Sequence, residues 1–124
     1  MGDGLAVQRN KGRIAEDLAA VFLESEGFNI IGRNSRLADG ELDIIAMEGD
    51  ILAFVEVKAG LKRSREDCLA SVDSRKISRL VNAAAAFMAK HNMDCNCRFD
   101  VVTVDLAAKP PACRLLRDAF RPES

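Results

Sequence analysis

Two runs of this chain, Gly40-Glu41-Leu42-Asp43-Ile44-Ile45-Ala46-Met47 and Ile51-Leu52-Ala53-Phe54-Val55-Glu56-Val57-Lys58, read as strands joined by a tight turn. Gly49 in the first central position of a two-residue loop predicts a type II′ hairpin, and such a turn fixes the register. Counting back from Glu48 against Ile51 pairs Met47 with Leu52, Ile45 with Phe54, Asp43 with Glu56 and Glu41 with Lys58, all on one face. Leu42, Ile44 and Ala46 oppose Val57, Val55 and Ala53 on the other. Both sides of the hairpin are therefore apolar except at one end, where two carboxylates meet as burial begins.

Directly opposed side chains of an antiparallel pair have Cβ atoms roughly 5 Å apart, and like charges there oppose pairing. Something has to compensate Asp43 facing Glu56. A divalent cation held by both would do so, with Lys58 on the same face beside it. The alternative is a solvated strand end in which Glu41 and Lys58 form a plain ion pair.

An Asp, then a hairpin, then Glu-x-Lys resembles the active-site core of the PD-(D/E)xK nuclease-like superfamily, which includes restriction endonuclease-like and Holliday junction resolvase-like proteins. Five pieces in order, Gly12-Arg13-Ile14-Ala15-Glu16-Asp17-Leu18-Ala19, Arg33-Asn34, Gly40-Glu41-Leu42-Asp43, Phe54-Val55-Glu56-Val57-Lys58 and Arg98-Phe99-Asp100-Val101-Val102, are similar to the small, largely uncharacterised bacterial YraN family. The likeness spans nearly the whole chain. It departs from the family pattern at Ala59-Gly60, where a Thr-Arg-like pair is usual.

A chain of 124 residues, 48% apolar and 30% charged, is sized for one compact domain. No stretch approaches the ~20 apolar residues that cross a bilayer, and Met1 to Arg13 lacks the apolar core of a signal peptide, so a cytoplasmic protein with no membrane partner is expected. Cys68, Cys95, Cys97 and Cys113 show no Cys-x-x-Cys spacing and read as reduced packing residues. His91 with Cys95 and Cys97 matches no common zinc spacing, and His91 is better placed to close a helix.

The formal net charge of −1 excludes a protein that coats nucleic acid by bulk electrostatics. Its distribution says more. Between positions 58 and 79 stand Lys58, Lys62, Arg63, Arg65, Arg75, Lys76 and Arg79 against Glu66, Asp67 and Asp73, which leaves the rest of the chain net acidic. A basic segment after a carboxylate pair suits a polyanion, and it makes Lys62, Arg63, Arg65, Arg75, Lys76 and Arg79 the candidate nucleic-acid contacts. The bland reading is a solvated loop and helix face.

Residues 1–11 are polar, Gly-containing and expected to be mobile. A helix is predicted from about Gly12 to Glu26, with Ile14, Leu18, Val21 and Phe22 as its apolar stripe. Glu16 lies beside Ala20 and Leu23, off the charged face, which aims it at a partly covered cleft. Phe28 to Arg33 is a first strand, residues 34–40 a polar loop, and residues 59–73 a mobile loop over the site. Ser74 caps a helix from about Arg75 to His91, whose buried stripe is Ile77, Leu80, Val81, Ala84, Phe87 and Met88. Arg98 to Leu106 is a strand, Ala112 to Arg117 a short edge strand, and residues 118–124 a tail. The core thus occupies residues 12–117 as a single domain.

This element order suggests an α/β sandwich with a mixed central sheet flanked by helices, and the resemblance implies a three-layer, restriction endonuclease-like core. The resemblance also implies a metal-dependent nuclease. Asp43 and Glu56, with the Val57 carbonyl, would bind Mg²⁺ or Mn²⁺, which suit hard oxygen ligands. Lys58 would act on the attacking water, and Glu16 would complete the catalytic set. Low aromatic content, with six Phe and no Trp or Tyr, favours duplex or branched substrates over single strands. DNA is the expected partner ahead of RNA, and likeness to enzymes of branched DNA makes a homodimer an expectation to test. The alternative is a nucleic-acid-binding module that keeps the fold without cleaving, and a third is an interaction domain that needs no metal.

Overall fold

The computed structural model describes residues 3–38, 40–60 and 73–121, with side chains from Gly12 onward. Its elements are α1 (Asp3–Ser25), β1 (Asn29–Leu37), β2 (Gly40–Glu48), β3 (Ile51–Gly60), α2 (Ser74–Lys90), β4 (Cys97–Asp105) and β5 (Ala112–Phe120). The strands form one five-stranded sheet in the order β1-β2-β3-β4-β5. β1 to β3 make an antiparallel meander, β3 pairs parallel with β4 across α2, and β5 returns antiparallel to β4. The sheet is mixed because only the connection that carries a helix is long enough for a parallel return.

Each face of the sheet is covered by one helix, as expected for a three-layer α/β sandwich. Under α1, Ala15, Ala19, Ala20 and Leu23 pack on Ile44, Ala46, Ala53, Val55, Val102 and Val104. Under α2, Leu80, Ala83, Ala84 and Phe87 pack on Leu42, Ile45, Leu52, Phe54 and Phe99. Phe54 meets Phe87 edge-on at 6.0 Å and stacks with Phe99 at 5.7 Å, which in turn stacks with Phe120 at 5.1 Å. Such aromatic contacts add to plain area burial.

The structure corrects half of the expected stripe of the first helix: Leu18 and Phe22 pack at the edge of the core as expected, and the other two do not. Ile14 and Val21 are 50% and 66% exposed, while the alanines turn inward. The sheet surface below is already filled by branched Ile and Val, so close approach selects small residues on the helix. α1 also begins at Asp3 rather than near Gly12. The N-cap of α2 is Asp73, whose carboxylate accepts from the Lys76 N–H at 2.8 Å, rather than Ser74. β1 continues to Leu37 through what was expected to be loop, with Leu37 paired to Gly40. β5 runs past Arg117 to Phe120 because the Phe120 ring completes the aromatic stack on Phe99.

Three thiols, Cys95, Cys97 and Cys113, are free, and Cys97 is exposed rather than packed. His91 is the C-cap of α2, against the Phe87 ring at 4.4 Å. Among the described residues no helix is long and apolar enough to cross a membrane.

Candidate active site

The β2–β3 ladder follows the register that the Gly49 turn dictates: Glu48 with Ile51, Met47 with Leu52, Ala46 with Ala53, Ile45 with Phe54 and Ile44 with Val55. Gly49 takes φ 60°, as the first central position of a type II′ turn requires. The ladder stops there. One step further out, where Asp43 would face Glu56, Asp43 Oδ2 accepts the Val57 N–H at 2.9 Å. A side chain thus takes the place of a backbone carbonyl, and the two strands part around it.

The alternation of β2 breaks at the same point. Leu42 was expected beside Ile44 but packs under α2 with Ile45. On the other side of Asp43, β1 carries Asn34 at φ 51°, a left-handed conformation that Asn tolerates better than most residues. With its amide oriented to satisfy the network, the Asn34 nitrogen donates to both Glu16 carboxylate oxygens at 2.9 Å. Arg33 next to it reaches Asp17 at 2.7 Å, tying α1 to the strand.

Glu56 is 8% exposed, and its Oε1 lies 2.7 Å from Lys76 Nζ and 3.6 Å from Lys58 Nζ. Asp43, Glu56, Gly40 and Glu41 line an open cleft of about 560 Å³ whose other wall is Asp73, Arg75, Lys76, Arg79 and Leu80 of the α2 start. Gly40 is what lets that wall approach: a Cβ there would sit 2.6 Å from the Arg79 carbonyl oxygen. Glu41 turns away to Arg36 at 3.3 Å, so the Glu41–Lys58 ion pair is not formed.

The electrostatics follow from crowding. Burial, reinforced by the neighbouring Glu56 charge, pushes the Asp43 carboxyl up to about 7, against the pull of the Val57 hydrogen bond. Burial also raises Glu16, helped by Glu41 and Asp17 and opposed by Arg33. Lys58 is lowered by burial and by the adjacent Lys76 amine. Burial works against the Lys76 charge too, but the contact with Glu56 outweighs it and the amine is raised. The two lysines are driven apart, one toward the neutral amine and one firmly cationic.

Sequence-expected residues divide cleanly. Asp43, Glu56, Val57 and Lys58 come together at the splayed end of the hairpin, and Glu16 stands close enough for its charge to act on Asp43. Arg75, Lys76 and Arg79 line the cleft. Lys62, Arg63 and Arg65 lie outside the described residues. Asn34 is a residue that sequence reasoning gave no role; its signal was its place in the Arg33-Asn34 pair. Among the described residues no three His, Cys, Asp or Glu side chains are grouped to hold a metal. Two crowded, partly buried carboxylates beside open solvent do suit a Mg²⁺-like ion, which commonly takes one or two carboxylates and completes its shell with water and phosphate oxygens.

The fold and the cleft define a small α/β sandwich protein with a carboxylate–lysine site at the splayed end of a central hairpin. The profile of the Uncharacterised protein family UPF0102 matches residues 15–104, and the chain belongs to that family, the one its motifs resembled as YraN. Similar proteins include a UPF0102 protein of Pseudomonas aeruginosa, 39% identical over 116 residues that cover 90% of this chain and 93% of the relative. Another, from Chlorobium chlorochromatii, is 41% identical over 78% of this chain and 75% of its own. A third, from Halorhodospira halophila, is 40% identical over 94% and 91%.

Proposed function

We propose that this protein is a metal-dependent nuclease of the PD-(D/E)xK type that hydrolyses phosphodiester bonds in DNA, with branched or damaged duplexes as the substrate class. What supports the reading most is the meeting of Asp43 and Glu56 at one splayed strand end, facing a basic wall, with Lys58 3.6 Å from Glu56. Asp43 and Glu56 would hold Mg²⁺ or Mn²⁺, with the Val57 carbonyl as a further oxygen. That ion would supply Lewis-acid polarisation of the phosphate and a more acidic water. Lys58 Nζ, its charge weakened by burial, orients the attacking water and takes up or shares its proton. Lys76 and Arg79 meet the phosphate charge from the α2 side of the cleft. Glu16, held by Asn34, accepts from a second water.

The basic wall would equally serve a module that binds nucleic acid without cutting it. A panel of linear, nicked, flapped and four-way DNA, with structured RNA, run with Mg²⁺ or Mn²⁺, separates the two. Cleavage of a DNA substrate is expected, falling by about 100-fold or more in Lys58→Ala and Asp43→Asn. Tight binding without turnover in the wild type would favour the binding module, and neither binding nor cleavage would overturn both readings.

A further inference from the structure

Glu56 Oε1 is contacted by two ammonium groups that reach it in different ways. Lys58 stands two residues along the same strand, at 3.6 Å, with its side chain 17% exposed. Lys76 crosses from the first turn of α2 to 2.7 Å, with its side chain 37% exposed. The Lys76 backbone is fixed, because its N–H is the group that caps α2 on Asp73. Its four-carbon stem is not, so the ammonium can leave Glu56 for the cleft without any movement of the helix.

We propose that Lys76 is an internal cation that holds the position of the divalent ion. Its ammonium neutralises Glu56, has to leave Oε1 when a divalent ion binds Asp43 and Glu56, and is then delivered to the cleft wall for a phosphate oxygen. This rests on the metal-dependent reading above. A carboxylate oxygen in a 2.7 Å ion pair cannot also take a divalent ion in its first shell without bringing two cations within a few ångströms of each other, which Coulomb repulsion opposes. Metal affinity is therefore set by competition with Lys76 rather than by the two carboxylates alone. A phosphodiester that draws Lys76 away strengthens metal binding, and by linkage the metal strengthens binding of the phosphodiester.

The test is calorimetric titration of Mn²⁺ into the chelator-stripped full chain, comparing wild type, Lys76→Met, Lys76→Gln, Lys58→Met and Asp43→Asn. Thermal melts in chelator confirm that each variant is folded. Lys76→Met and Lys76→Gln are expected to bind Mn²⁺ about tenfold tighter than wild type, in line with the loss of one charge-assisted contact. Lys58→Met should gain less, and Asp43→Asn should lose binding. If wild type binds, Asp43→Asn does not, and both Lys76 variants bind no tighter than wild type, the competition is overturned while the metal site stands. If no variant takes up Mn²⁺, the metal-dependent reading falls and takes this inference with it.

Discussion

The two ends of the β2–β3 hairpin handle buried charge in opposite ways. At the turn end, Arg98 bridges Glu48 at 2.7 Å and the fully buried Asp100 at 2.8 Å, and Arg117 reaches Glu48 at 2.6 Å. Asp100 also accepts the Asp118 N–H at 2.9 Å. Carboxylates and guanidiniums are matched, and Arg117 with Arg98 holds Glu48 down at about 2. At the splayed end both lysine amines lie on Glu56, while Asp43 is met by the Val57 N–H, and Asp43 rises to about 7. A matched network locks β2, β4 and β5 together. A mismatched one stores unfavourable charge that a cation can relieve, and such perturbed groups gather where chemistry is done.

The sharpest way to break this contrast is at Arg98. Arg98→Met strands the buried Asp100 carboxylate with only the Asp118 N–H, and should cost about 3–5 kcal/mol in urea unfolding. A loss no larger than that of an exposed ion pair would mean the turn end is not a matched buried network.

Gly40→Ala probes the splayed end, where a new Cβ would collide with the Arg79 carbonyl. The helix must back away, at a cost of about 3 kcal/mol. Mn²⁺ binding should change with it, while the Arg98 network stays intact.

Asp43→Asn should do the reverse and stabilise the chelator-treated protein. With the folded carboxyl at about 7 against an ordinary 3.8, the native state keeps a proton that the unfolded chain releases between those values. Wild-type stability therefore falls as pH rises through that window. The variant, which cannot ionise, should be more stable by about 2 kcal/mol at about pH 8, and the difference should vanish near pH 4.

The smallest effect concerns Glu48, whose depressed carboxyl has the opposite sign. Its contribution is present above the ordinary value of 4.5 and lost as pH falls toward about 2. Glu48→Gln should flatten that acid limb by about 1 kcal/mol, because the Arg117 arm is half exposed and screened.

Part of the site was legible because a two-residue turn with Gly49 pins the ladder as far as Ile44 with Val55, which brings Asp43 and Glu56 to its open end, although the direct pairings of Asp43 with Glu56 and Glu41 with Lys58 are not part of it. The parting of the strands was not legible. It accompanies the capture of the Val57 N–H by the Asp43 side chain, a contact that no sequence spacing announces. Of the α1 stripe, Leu18 and Phe22 pack on the core while Ile14 and Val21 face outward, because apolar bulk alone does not tell which side of the helix meets the sheet. The Arg98–Asp100–Glu48–Arg117 network joins residues up to 69 apart in the chain, and no local pattern announces it.

Counting Mn²⁺ bound per chain from the free-ion signal in electron paramagnetic resonance tests the central claim most directly, with wild type and Asp43→Asn titrated side by side near neutral pH. A saturable site in the wild type that disappears in Asp43→Asn is the predicted result. Equal uptake by both chains, or none by the wild type at millimolar Mn²⁺, would contradict the account.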